Sequence, residues 1–160
     1  MRSAHVAARG GAERQVGCDG VWQRLDAQRG RVDHLHSQNP ALRAGRIACA
    51  SGADRLKVEF QIDMAGMRPY FGDRVFSGHE MPRSKPAPDV YLAAAAHLGA
   101  DPARCLVIED TPTGVTAGVA AGAEVWAYCP LPAAAERLQA AGASRLFGHM
   151  AELGDWLASA

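Results

Sequence analysis

The sequence predicts an α/β fold: one parallel β-sheet with helices on both faces. From residue 46 onward, short apolar runs alternate with segments whose apolar residues recur at helical spacing, and several of the apolar runs end in polar side chains. Repeated strand–helix units of this length are typical of a parallel sheet covered by helices. With 160 residues, 48% of them hydrophobic, the chain is long enough to bury an ordinary core.

Five strand–helix units follow one another after residue 45. We expect strands near residues 46–50, 74–77, 104–109, 123–128 and 145–147. We expect helices near residues 53–66, 87–98, 112–121, 132–141 and 149–158. In open sheets of this kind, ligands bind at the edge formed by the carboxyl ends of the strands. Polar residues that follow the strands are therefore the candidate site residues.

The first of these strands ends in Ser51 and Gly52, before a helix that we expect to begin near Ala53. A hydroxyl group beside unpaired backbone N–H groups at the start of a helix can bind an anion. Taken alone, such a serine is more often a simple helix cap.

The next polar position is Lys85, which lies between the second strand and its helix in the segment 84–89, read SKPAPD. Two prolines stiffen this loop, and Asp89 leads the helix. A lysine ammonium held at such a position is a suitable partner for a phosphate group, on which it acts as a point charge.

Two adjacent carboxylates, Glu109 and Asp110, end the third strand, and Thr111 and Pro112 follow as a helix N-cap and a first helical residue. Like charges this close repel, so they must hold a cation or be protonated. Hard oxygen ligands suit Mg²⁺, which makes this pair a candidate metal site.

The order of these features resembles the haloacid dehalogenase-like (HAD) hydrolases, in particular the branch with β-phosphoglucomutase, phosphoglycolate phosphatase and small sugar-phosphate phosphatases. The resemblance covers roughly the last 115 residues of the chain. Three segments carry it: the link 70–77 (YFGDRVFS), the lysine motif 85–89 (KPAPD) and the acidic motif 107–114 (VIEDTPTG). It implies a three-layer, Rossmann-like core.

The resemblance also implies a role for each matching residue. Ser51, with the backbone of Gly52, would bind the phosphoryl group of the substrate, and Lys85 would neutralise the phosphate and steady the nucleophile. Asp110, with Glu109, would hold Mg²⁺ directly or through water. Phosphoryl transfer depends mainly on charge neutralisation and alignment, which such groups supply.

The family's first motif is missing from this chain. That motif is a strand ending in Asp-x-Asp-Gly, whose first Asp attacks phosphorus and whose second acts as general acid and base. The nearest string is 17–21, read GCDGV, in which Asp19 would take the acid position and Gly17 the nucleophile position. Glycine cannot attack phosphorus, so Asp19 is at most a weak candidate for the general acid.

Residues 1–45 differ from the rest of the chain and are expected to be an atypical, disordered or misread segment before a HAD-like core at 46–160. They contain seven arginines, no lysine and no sustained apolar period. Only 31 residues separate Asp19 from Ser51, too few for the helical cap domain that the family places there. We expect a truncated or misread gene start.

The loss of the first motif has a structural consequence, because the family places its strand in the centre of the sheet. The slot lies between the strands that end at Ser51 and Asp110. A vacant slot would leave backbone groups unpaired and favour self-association. Either residues 1–45 supply a substitute strand, from 5–8 or 16–21, or the fold is marginal.

Composition and charge limit the classes of binding partner and the cellular compartment that we expect for this chain. Basic and acidic residues number 17 each, which argues against a nucleic-acid or membrane surface, and no apolar run reaches the length of a membrane span. Cys18, Cys49, Cys105 and Cys129 form no C-x-x-C pair and are expected to be reduced thiols of a cytoplasmic protein. The expected partner is a small phosphorylated metabolite.

By resemblance, the function is that of an Mg²⁺-dependent phosphatase acting on small phosphomonoesters of the sugar-phosphate or phosphoglycolate class. Without the nucleophile motif, this chain is expected to be inactive or nearly so, and whether it is an enzyme stays open. The alternatives are a non-catalytic remnant that binds phosphate and metal, and a β-phosphoglucomutase-like phosphosugar mutase. Haloacid dehalogenation is disfavoured because it needs no metal.

Overall fold

The computed structural model of the chain describes residues 3–8 and 46–158. These residues form one six-stranded sheet with helices on both faces. The strands are β1 (Ser3–Ala8), β2 (Ile47–Ser51), β3 (Val75–Ser77), β4 (Cys105–Glu109), β5 (Glu124–Tyr128) and β6 (Arg145–Phe147). The helices are α1 (Arg55–Met64), α2 (Arg68–Phe71), α3 (Asp89–His97), α4 (Pro112–Ala120), α5 (Ala135–Ala140) and α6 (Met150–Ala158).

The α/β fold and the order of elements expected after residue 45 are confirmed. The differences are local. Helix α1 begins at Arg55 rather than near Ala53, because the side chain of Asp54 caps it by accepting a hydrogen bond from the backbone N–H of Leu56. The helix expected over 132–141 is divided into a 3₁₀ turn and the shorter α5. The four-residue α2 was not expected.

The sheet has the order β3-β2-β1-β4-β5-β6, in which β1 is central. Strand pairs β2–β3, β4–β5 and β5–β6 are parallel, as the alternation of strands and helices predicts. Strand β1 is antiparallel to both of its neighbours, with Val6 opposite Ala48 on one side and Val107 on the other.

The central slot is therefore filled by the segment 3–8, which contains one of the two candidate substitute strands, 5–8. The other candidate, 16–21, lies outside the described residues. Reversed polarity is compatible with the slot because an antiparallel strand also pairs the inward N–H and C=O groups of both neighbours. The sheet as a whole is mixed rather than parallel.

Alternation along each strand divides the core between the two faces of the sheet. On one face, helices α3, α4 and α5 pack against small residues of β2 and β4 in an alanine-rich cluster. On the other face, α1 and α2 cover β2 and β3, and α6 covers the aromatic end of the sheet at β5 and β6. Trp126 and Trp156 meet edge to face in that aromatic cluster. Within the described part of the chain, no helix is long and apolar enough to cross a membrane.

Candidate functional site

The carboxyl ends of β2, β3 and β4 carry the buried polar side chains of the described residues. These are Ser51, Ser77 and Glu109, each the last residue of its strand and each no more than 1% exposed. Buried polar groups require hydrogen-bond partners, and the partners of these three connect the loops at this edge. The edge is the one at which the sequence places the site.

Ser51 forms the turn between β2 and α1. Its Oγ accepts a hydrogen bond from the backbone N–H of Ala53, 3.0 Å away. Gly52 follows, close to the Lys85 side chain: a methyl group at Gly52 would lie 3.9 Å from Lys85 Cδ. The Ser51–Gly52 loop and Lys85 are therefore neighbours, as the resemblance implies.

The turn after β3 supports this loop from the side. Ser77 donates a 2.6 Å hydrogen bond from Oγ to the backbone oxygen of Ala53 and accepts one from the N–H of His79. Arg55, the first residue of α1, and Glu80, in the turn after β3, form a bidentate ion pair with two 2.6 Å contacts. Bidentate pairs fix geometry as well as adding energy. The loop at Ser51 is held by its neighbours before any ligand arrives.

Lys85 reaches across the edge to the end of β4. Its Nζ lies 2.9 Å from Glu109 Oε1, 3.2 Å from the backbone oxygen of Ala50 and 4.7 Å from the centre of the Tyr91 ring. The Lys85 side chain is only 8% exposed. The proline-flanked loop alone predicted a fixed ammonium; the contacts that fix it come from β2, β4 and α3.

Glu109 accepts hydrogen bonds on both carboxylate oxygens. Oε1 also receives the hydroxyl of Tyr91 at 2.8 Å, and Oε2 receives the N–H of Asp110 and both the N–H and the hydroxyl of Thr111 at 2.9 to 3.1 Å. Burial by itself raises the pKa of Glu109, but the Lys85 charge and the hydrogen bonds from Lys85, Tyr91 and Asp110 outweigh burial and hold the pKa below its ordinary value. Glu109 is thus an ionised partner of Lys85.

Asp110 is half-buried and follows Glu109 at the same edge. Its backbone N–H donates one of the hydrogen bonds that Glu109 Oε2 accepts, so Asp110 belongs to the same turn as the network around Glu109. Among the described residues, no three His, Cys, Asp or Glu side chains are grouped so as to hold a metal ion. Mg²⁺ prefers several fixed oxygen ligands, so the donors described do not by themselves fit it.

The structure brings Ser51, Gly52, Lys85, Glu109 and Asp110 to one edge of the sheet, whereas Asp19 lies outside the described residues. Sequence reasoning missed Tyr91, Ser77 and Gly114. It treated Tyr91 only as a member of an apolar helix, although a tyrosine on a buried helix face needs a partner for its hydroxyl. Ser77 and Gly114 are the last residues of the segments 70–77 and 107–114 that carry the resemblance, but sequence reasoning assigned neither residue a role of its own.

Comparison with known proteins decides the family. The family model described as "haloacid dehalogenase-like hydrolase" matches residues 13–122. The chain belongs to this family. The match begins N-terminal to residue 46, where the resemblance described above begins, and it includes the string 17–21 with Asp19. The domain boundary at residue 45 stays a prediction.

Relatives of this HAD chain include proteins with phosphatase names. A bifunctional riboflavin kinase/FMN phosphatase of Arabidopsis thaliana is 39% identical over 114 residues, 68% of this chain and 30% of that protein. The 6-phosphogluconate phosphatase of Escherichia coli (strain K12) is 32% identical over 86 residues, 54% of this chain and 39% of the enzyme. The chain spans less than half the length of either relative.

A solved HAD family hydrolase of Deinococcus radiodurans R1, with bound phosphate and sodium, has a TM-score of 0.70 and 36% identity to this chain. The similarity covers 82% of this chain and 58% of that one. A structure described as a putative β-phosphoglucomutase from Thermotoga maritima has a TM-score of 0.61 at 23% identity, covering 66% of this chain and 50% of that one, and supports the fold alone.

Proposed function

We propose that this chain contains the phosphate-binding part of a HAD phosphatase for small phosphomonoesters of the sugar-phosphate or phosphoglycolate class. The supporting observation is the Lys85 ammonium, which is held beside the Ser51–Gly52 loop by Glu109 and the backbone oxygen of Ala50. A preorganised cation beside a helix-leading loop is suited to a phosphate dianion. Phosphate bound to the Deinococcus radiodurans relative, and the phosphatase names of other relatives, agree with this proposal.

Each residue contributes a different part of phosphate recognition. Lys85 supplies the positive charge. Gly52 allows the backbone of the loop to approach the ligand without a side chain in between. Ser51, which is fully buried, shapes the loop because its Oγ accepts a hydrogen bond from the N–H of Ala53, and the proposal assigns its O–H, which is a donor, to the phosphoryl group.

We further propose that this chain hydrolyses phosphate esters at or near background rate. In the family, the first-motif aspartates come from the central strand. Here the central strand β1 reads SAHVAA and contains no acidic residue, and it is antiparallel to its neighbours. This observation favours the alternative of a non-catalytic domain that binds phosphate. No separate observation favours a phosphosugar mutase.

The proposal includes a weak binding site for Mg²⁺. We propose that Asp110 contributes one ligand to a weak Mg²⁺ site, because the other carboxylates that the family uses are missing from the described residues. Calorimetry with Mg²⁺ and phosphate on the parent and on Asp110→Asn tests this. Tight binding by the parent that Asp110→Asn leaves unchanged would count against the site.

Phosphate binding is tested by titrating the chain with inorganic phosphate and comparing Lys85→Met with Lys57→Met. Lys57 is the other lysine in the chain and is exposed on α1, so it is a matched control. We expect Lys85→Met to abolish binding and Lys57→Met to leave it intact. Equal binding by both variants would overturn the assignment of Lys85.

Catalysis is tested with p-nitrophenyl phosphate in the presence of Mg²⁺. We expect no turnover above background. A rate of about one per second or faster, which is ordinary for an enzyme, would contradict this. Loss of such a rate in Asp19→Ala would then identify the string 17–21 as a working motif.

We also propose a reducing, cytoplasmic setting for the chain. Cys49, Cys105 and Cys129 form no disulfide, and the first two are buried in strands of the core. Thiols in such positions behave as small apolar residues.

A further inference from the structure

Tyr91 is a buried aromatic residue whose hydroxyl is part of the charged network. It is 1% exposed and lies on α3, packed in the alanine-rich cluster on one face of the sheet. Its hydroxyl donates a 2.8 Å hydrogen bond to Glu109 Oε1. The flat face of the same ring lies under Lys85, with Nζ 4.7 Å from the ring centre.

Two donors from different segments converge on Glu109 Oε1. Lys85 approaches from the loop before α3 at 2.9 Å, and Tyr91 approaches from α3 itself at 2.8 Å. The other oxygen, Oε2, is held by the turn that follows β4, through Asp110 and Thr111. With both oxygens held, the carboxylate has a fixed orientation, and so has the cation that it attracts.

The contacts of Lys85 leave part of its hydrogen-bonding capacity for a ligand. A lysine ammonium has three N–H donors. Within the described part of the chain, Glu109 Oε1 and the backbone oxygen of Ala50 accept two of them. The remaining donor is available for an anion at the Ser51–Gly52 loop, provided that the ammonium stays in place.

We propose that Tyr91 is a positioning residue that holds Lys85 for phosphate binding, and this proposal rests on the phosphate site proposed above. The hydroxyl satisfies Glu109 Oε1, so the carboxylate does not depend on Lys85 alone. The ring supports the ammonium through a cation–π contact, which is within the usual range below about 6 Å. Loss of the hydroxyl lets Glu109 draw Lys85 toward itself and away from the anion.

The chain contains two lysines, which makes Lys85 directly observable by nuclear magnetic resonance. With lysine labelled with ¹⁵N at Nζ, we expect the exposed Lys57 to exchange its ammonium protons with water faster than the buried Lys85. We expect the buried, hydrogen-bonded Lys85 to give a separate, slowly exchanging signal. This readout reports the environment of one ammonium group and does not require bound phosphate.

The experiment compares the full chain with Tyr91→Phe and Tyr70→Phe. Tyr91→Phe removes the hydroxyl and keeps the ring. Tyr70→Phe makes the same chemical change on α2, on the opposite face of the sheet. We expect Tyr91→Phe to shift or broaden the Lys85 signal and to weaken binding of inorganic phosphate about tenfold, as for the loss of one hydrogen bond to a charged group. Tyr70→Phe should change neither.

The outcomes separate this proposal from the proposed function. An unchanged Lys85 signal in Tyr91→Phe overturns the positioning role, whatever the phosphate affinity, and so does a parent chain without a slowly exchanging Lys85 signal. A changed signal with unchanged phosphate affinity overturns the functional part of the proposal. A changed signal in a chain that binds no phosphate supports the positioning of Lys85 and rejects the phosphate site.

Discussion

At the residue scale, Glu109 is the side chain that holds Lys85 in place at the site. The sequence presents it as one of two adjacent acids, equivalent to Asp110 in every local respect. The fold gives it two charged or hydroxyl donors on one oxygen and three donors from the following turn on the other. A buried ion pair satisfied in this way fixes geometry, while the loss of either partner leaves an uncompensated buried charge.

We therefore predict that Glu109→Gln destabilises the chain by about 3 to 5 kcal/mol at pH 7, because the buried Lys85–Glu109 ion pair loses its carboxylate partner. Urea unfolding followed by circular dichroism measures this. Glu80→Gln, which breaks the partly exposed pair with Arg55, is the control, with an expected cost of about 1 kcal/mol or less. Equal costs for the two variants would contradict the importance assigned to the buried pair.

The Glu109 carboxyl group also makes the stability of the chain depend on pH. The pKa of Glu109 in the folded chain is lowered from its ordinary value of 4.5, despite the opposing effect of burial and because of the Lys85 charge and the hydrogen bonds. Glu109 therefore contributes its full stabilisation above pH 4.5, and this contribution is lost as the pH falls through the lowered folded-state pKa. Unfolding free energies measured between pH 7 and pH 3 should fall less steeply in Glu109→Gln than in the parent.

At the element scale, the start of α4 is built around the Glu109 carboxylate. Thr111 is the N-cap and bonds the N–H of Gly114, and Pro112 takes the first helical position, as the sequence predicts. The fully buried face of the helix at Gly114 has no room for a side chain, since a methyl group there would overlap the carboxylate of Glu109. The glycine is required by this close approach and not by its backbone angles.

This predicts an unusual effect of Gly114→Ala. Replacing glycine by alanine inside a helix normally stabilises it by about 1 kcal/mol. Here the added methyl group must displace Glu109 from Lys85 and Tyr91, so we expect a loss of stability and a lower melting temperature. Thr116→Ala, at an exposed position of the same helix, is the control and should leave the melting temperature equal or higher. A melting temperature raised by Gly114→Ala would show that the carboxylate does not occupy this place.

At the scale of the whole molecule, β1 joins the two halves of the sheet. It lies between β2 and β4, and its pairing replaces that of the strand expected from the family. Without it, the inner edges of β2 and β4 would expose unpaired backbone groups, which are a template for association with other chains. Ser51 lies opposite Ser3, so β1 also sets the distance between the lysine–glutamate pair and the Ser51 loop.

We predict that Val6→Pro separates these halves, because proline cannot donate a backbone hydrogen bond and is excluded from central strands. The expected result is a large loss of stability together with dimers or larger species in light scattering. Val6→Ile, which keeps the backbone N–H and a β-branched side chain, should remain close to the parent. A monomeric and stable Val6→Pro variant would show that β1 does not hold the centre of the sheet.

The sequence by itself determined most of the architecture after residue 45. Apolar runs, their spacing and the cap at Thr111 and Pro112 are local signals, and local signals fix the type and order of elements. The same signals placed Ser51 and Asp110 at strand ends and Lys85 in the loop between a strand and its helix, and parallel strands bring such positions to one edge.

Only the tertiary structure decided how these residues are connected. The pairing of Glu109 with Lys85 and Tyr91 depends on contacts between segments 18 to 24 residues apart, for which the sequence carries no periodic signal. The use of the segment 3–8 as an antiparallel central strand depends on the demand of β2 and β4 for backbone partners, a non-local requirement that no propensity of SAHVAA expresses.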